Sequence, residues 1–65
     1  MNVKFIHHIF VPHQTITAVI KYYNHYIDDH ATVELLLNMF NEANNNEIPR
    51  PGVPFKIPTI VRDNN

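Results

Sequence analysis

Across residues 3–11 the chain alternates without leaving one plainly wet side. Val3, Phe5, His7, Ile9 and Val11 fall on one face of an extended backbone, and Lys4, Ile6, His8 and Phe10 on the other. Both faces are partly apolar and rich in β-branched and aromatic side chains, the pattern of a strand covered on two sides, and Pro12 ends it. At Thr15 the period changes. Ile16, Val19, Ile20 and Tyr23 fall at i, i+3, i+4 and i+7, one stripe of a short helix with Thr15 as its N-cap and Asn24 as its stop. Residues 24–31 form a polar link in which Asp28 and Asp29 precede a second helix and favour its positive end, with Thr32 as the expected cap. That helix spans residues 33–43. Val33, Leu36, Leu37, Phe40 and Ala43 form its first stripe, and Leu35 and Met39 a second. Two stripes exceed what one face of a small core absorbs, so the second is expected either to lie under the first helix or to meet a partner.

Residues 44–50 read as a loop, and Pro51-Gly52 as a turn in which proline presets one corner and glycine tolerates the next. Val53, Phe55 and Ile57 then alternate with Pro54, Lys56 and Pro58, a short strand whose prolines blunt its edge. The expected fold is therefore α+β in the order βααβ, with two helices packed on one face of a two-stranded antiparallel sheet made from the two ends of the chain. One domain is expected over residues 1–60. The remainder, 61–65, reads as a tail, and the stretch after Pro58 either as flexible or as an arm adding Ile60 and Val61 to a neighbour's sheet.

The order and the residues together resemble the lysin motif (LysM) family. Thr15-Ile16-Thr17-Ala18-Val19-Ile20-Lys21-Tyr22-Tyr23-Asn24 is similar to that family's first helix, T-L-x-x-I-A-x-x-Y-G, and Pro51-Gly52-Val53-Pro54-Phe55-Lys56-Ile57-Pro58 to its closing P-G-x-x-L-x-I-P. Val33-Glu34-Leu35-Leu36 resembles the opening of its second helix, with Asn41 or Asn44 at the end. Within the family the likeness is to the small LysM-like tail proteins of contractile phages, called tail protein X, and to LysM domains of baseplate wedge components. Lys21-Tyr22-Tyr23 and the longer link before residues 33–44 are the shared features. The resemblance implies a structural virion protein that docks in multiple copies with other tail or baseplate proteins, and that is found in the host cytoplasm during assembly. Ile6, Phe10, Leu35 and Met39 are its expected partner interface.

Peptidoglycan-binding members of that family usually open their first helix with Gly-Asp-Thr, where this chain has His13-Gln14-Thr15. The loss of glycine removes close backbone approach at that loop. The facing loop keeps polar and apolar groups, so the alternative reading is a peptidoglycan-binding module with a groove made by Gln14, Thr15, Asn44, Asn45, Ile48 and Pro51.

Composition narrows the remaining choices. Sixty-five residues hold one small core, which rarely supplies more than about 3–5 kcal/mol net, so stability completed by a partner is expected from size alone. With no Cys, disulfide staples and cysteine-based zinc sites are excluded. Five Lys and Arg against six Asp and Glu leave no basic excess for counterion release, so nucleic acid is not expected as a partner. No apolar run approaches the roughly 18–20 residues of a membrane span, and residues 1–8 lack the form of a signal peptide. His7 and His8 point to opposite faces of a strand, and His25 and His30 lie in a link without carboxylates at ligand spacing, so no metal is expected. Asp28, Asp29 and Glu34 are explained by the helix start rather than acid–base work, and the chain has no Ser or Cys nucleophile and no Gly-rich phosphate loop. The expectation is a non-enzyme without cofactor, with Tyr22, Tyr23 and Tyr26 serving as core or interface.

Overall fold

The computed structural model describes residues 2–62. Within them the elements run β1 (Asn2–Ile9), α1 (Ile16–Tyr23), α2 (His30–Ala43) and β2 (Pro54–Val61), the βααβ order and α+β class expected. The two strands pair antiparallel along their full length, from Asn2 opposite Val61 to Ile9 opposite Pro54. β2 is longer than the short strand expected. Val3 opposite Ile60 and Asn2 opposite Val61 place the supposed arm inside the chain's own sheet, because those β-branched residues find a partner strand already in place. The strand thus runs one residue past the expected domain end at residue 60.

Both helices pack against each other and against β2, while the backbone of β1 comes close to β2 alone. The core consists of Phe10, Val19, Ile20, Leu36, Phe40, Phe55 and Ile57. β2 is consequently the strand covered on both faces, with Phe55 and Ile57 buried on one and Pro58 on the other. The expectation that β1 is covered on two sides is corrected. Ile6 and His8 are half-buried, whereas Phe5, His7 and Ile9 on the opposite face are exposed, since the helices reach the sheet from the β2 side.

The edge of β2 is held by two asparagines. Asn24, the C-cap of α1, donates from Nδ2 to the Ile20 carbonyl (2.8 Å) and the Pro58 carbonyl (3.1 Å), and its Oδ1 accepts from the Ile60 amide (2.9 Å). Asn44, the C-cap of α2, repeats the device one step along. Its Nδ2 donates to the Phe40 and Lys56 carbonyls, and its Oδ1 accepts from the Lys56 amide. These bonds show that Lys56, Pro58 and Ile60 turn their backbone groups away from β1. Pro54 shares that parity, so neither strand proline removes a ladder hydrogen bond.

Thr15 caps α1 as expected, its Oγ1 accepting from the Ala18 amide at 3.1 Å. At α2 the expected cap is one turn too late. The helix begins at His30, and Asp29 is the cap, accepting from the Thr32 amide (2.8 Å) and the Thr32 hydroxyl (2.6 Å). Asp29 wins because its carboxylate satisfies an orphan amide and meets the positive helix end at once, and Thr32 then serves as its partner. The Thr32 side chain, with its amide next, holds the Asp29 carboxyl below its ordinary value. A carboxyl depressed on folding adds stability above its unfolded pKa and loses it as pH falls through the folded value. The melting temperature of wild type is therefore expected to drop below about pH 4 with a component that Asp29→Asn lacks, measured by thermal melts at several pH values.

Candidate functional site

The two helices end in the same turn. After Asn24, His25 and Tyr26 both take positive φ (60° and 58°), and after Asn44, Asn45 and Asn46 do the same (56° and 58°). In each turn the last of these residues returns its amide to the carbonyl five residues back, Tyr26 to Lys21 at 2.6 Å and Asn46 to Asn41 at 2.7 Å. Asparagine enters the left-handed region at little cost. A tyrosine there costs on the order of 1–2 kcal/mol, and nothing in the turn geometry requires its ring. The result is that Tyr26 stands 72% exposed, its ring edge-on to Tyr22 at 6.0 Å. Tyr26→Asn is expected to raise stability by about 0.5–1 kcal/mol as read from thermal melting, because relief of the left-handed backbone outweighs the edge-on pairing with Tyr22.

Tyr22 also borders a cleft of about 360 Å³ lined by His8, Gln14, Ala18, Val19, Tyr22 and Tyr23. Its polar floor is one connected set. The Val11 amide donates to Gln14 Oε1 at 3.0 Å, which fixes that atom as the oxygen, so His8 Nε2 (2.9 Å away) is the donor to it. His8 Nδ1 then faces the Tyr23 hydroxyl at 2.8 Å. These bonds tie β1, the 10–15 turn and α1 together, and they also consume the polar atoms that a ligand would use.

A second groove, about 310 Å³, lies between Phe5 of β1 and Met39, Glu42 and Ala43 of α2. Here one residue of the expected interface, Met39, is half-buried against the core with its outer side in the groove. Leu35, one turn earlier, is 45% exposed. Ile6 is half-buried on the inner face of the sheet. Phe10 is corrected outright. It is only 4% exposed, edge-on to Phe40 (6.2 Å) and Phe55 (6.0 Å), because it continues the inner parity of Ile6 and His8 one position past the end of β1. The residue that the interface expectation missed is Phe5, which belongs to the outer parity of β1. Once the inner parity is known from Ile6 and His8, its position follows.

Half of the residues of the expected glycan groove are occupied with holding the fold. Gln14 accepts from His8 and Val11, Thr15 caps α1, and both ends of the Asn44 amide are bonded. Asn45 is exposed in its left-handed turn, Pro51 is exposed, and Ile48, at 81%, is the most exposed large apolar residue described. Among the described residues, no hydrogen bond joins residues 13–15 to residues 44–51. Of the histidines, His30 lies 3.8 Å from Glu34 and both are exposed. Among the described residues, no three His, Asp or Glu side chains gather as a metal site requires. No described helix is long and apolar enough to cross a membrane.

Comparisons with protein-family models, with curated proteins and with solved structures find no match for this chain.

Proposed function

We propose that this protein is a LysM-like structural module that docks into a symmetric phage tail or baseplate, with other tail proteins as its partners. The observation that carries the reading is the apolar groove of Phe5, Met39 and Ala43 with Leu35 beside it, on a chain whose core is too small to spare apolar surface. The βααβ order supports it, as does the position of the two family-like segments, the first falling on Thr15 and α1, the second on the 51–53 turn and β2. The occupied polar atoms of Gln14, Thr15 and Asn44 favour this reading over peptidoglycan binding, which keeps Asn45, Ile48 and Pro51 as its free groups.

Leu35→Asp tests the proposal, because it charges the exposed stripe without entering the core. In cells producing tails, tagged wild type is expected to co-sediment with them and the variant to remain in the supernatant, both with the same helical circular dichroism. Retention of wild type on insoluble peptidoglycan, lost with Asn45→Ala and Ile48→Ala and not with Leu35→Asp, would select the alternative.

A further inference from the structure

The two edges of the sheet are treated differently. Asn24 and Asn44 occupy the backbone groups along the edge of β2, and Pro54 and Pro58 remove two donors from it. The edge of β1 has no such protection. Lys56, Pro58 and Ile60 turn away from β1, so their register partners His7, Phe5 and Val3 turn away from β2, and Ile9, opposite Pro54, does likewise. Val3, Phe5, His7 and Ile9 therefore each present an amide and a carbonyl to the open side. No helix backbone lies close to β1, and the strand contains no proline, glycine or acidic residue. Natural sheets blunt such an edge with proline, charge, bulges or a covering element, and among the described residues this one has only the single charge of Lys4, on the inner face, while its outward-bonding positions are Val3, Phe5, His7 and Ile9.

We infer that this edge pairs antiparallel with the same edge of a second copy of this chain. Its backbone groups are complementary only to an extended strand, and in a second copy β2 is capped, which leaves β1. A two-fold axis at Ile6 sets Val3 opposite the second copy's Ile9 and Phe5 opposite the second copy's His7, and every open amide and carbonyl from Val3 to Ile9 then has a partner. Other symmetric registers leave some of these groups unpaired. The product is a four-stranded sheet in the order β2, β1, β1, β2, whose outer edges carry the asparagine caps, so pairing stops at the dimer and does not propagate.

Eight residues span only about 27 Å, and a contact of that length falls at the low end of specific interfaces, so a dissociation constant of roughly 100 μM is expected. The inference does not rest on the phage reading. A chain that dimerises but is absent from tails keeps it and removes that reading, and a monomer found in tails does the reverse.

The test is sedimentation equilibrium and residue-resolved amide exchange on the full chain. Between about 20 μM and about 1 mM the average mass is expected to rise to about 1.8 times the monomer and never beyond a dimer, and the Phe5 and His7 amides to slow about fourfold. The Ile6 and His8 amides, bonded within the monomer, are expected to be protected throughout. His7→Pro removes one outward donor and no ladder bond, so it is expected to keep the native circular dichroism and stay monomeric at the upper concentration. If that variant fails to fold, the exchange rates of wild type decide. A wild type that stays monomeric at about 1 mM, or that dimerises with unchanged Phe5 and His7 exchange, overturns the inference.

Discussion

Replacing Asn24 by alanine is expected to leave the chain largely unfolded at 25 °C. The side chain is 4% exposed and joins three backbone groups, the Ile20 and Pro58 carbonyls and the Ile60 amide. Truncation takes the side-chain partner from the Pro58 carbonyl and the Ile60 amide, while the Ile20 carbonyl keeps the Asn24 backbone amide, and each orphaned group costs about 1–3 kcal/mol. For the two groups the loss is about 2–6 kcal/mol, which spans the whole stability that a core of this size supplies. Asn44→Ala removes the matching amide at the other helix end, but Asn44 is only half-buried and its Lys56 partners lie where water reaches them. Its cost is therefore expected to stay near 1–2 kcal/mol. Urea titrations followed by circular dichroism give both values, and equal losses would contradict the distinction between the two caps.

Phe40→Ala is the second substitution expected to abolish folding. Phe40 is fully buried, stacked on Phe55 with ring centroids 6.2 Å apart and edge-on to Phe10 at the same distance. Removing its ring takes away the transfer free energy of the side chain and leaves a cavity that α2 and β2 cannot close without breaking the Asn44 bonds. Such truncations cost about 3–5 kcal/mol. Phe40→Leu retains most of the volume and is expected to cost about 1–1.5 kcal/mol, leaving a folded protein with a melting temperature lower by several degrees. A Phe40→Ala protein that melts cooperatively near wild type would show that the core is not organised around this ring.

Much of the fold was legible because it depends on local rules. The stripe of Ile16, Val19, Ile20 and Tyr23, the Thr15 cap and the Asn24 stop follow from helical period and cap chemistry. What the chain did not disclose was which strand the helices cover. Val3, Phe5 and Ile9 are as apolar as Ile6 and Phe10, so period two was ambiguous, and the parity was settled by packing between β2 and the helices far away in sequence. The Asp29 cap was hidden for a related reason, since Asp29 and Thr32 both suit a helix start and only the hydrogen bond between them shows which one is outside. The exposed stripe at Leu35 could be read from the surplus of apolar positions on α2. The place of Phe10 could not, because it follows the parity of Ile6 and His8, and which parity faces the core was decided by that distant packing.

The role of Asn24 lay half in view. Its position marks a helix end, whereas its hold on β2 spans more than thirty residues and leaves no local signature. The same separation explains why the open edge of β1 emerges only from the structure. The direction of its amides follows from bonds that Asn24 and Asn44 make to the other strand.

The proposal that this chain is a structural module of a phage tail is tested most directly by quantitative mass spectrometry of tail particles purified from the cells that encode it. The account predicts the chain in the particle at a fixed integer ratio to a tail subunit, retained through a salt wash. Absence from washed particles, with the chain recovered instead on peptidoglycan, would contradict it.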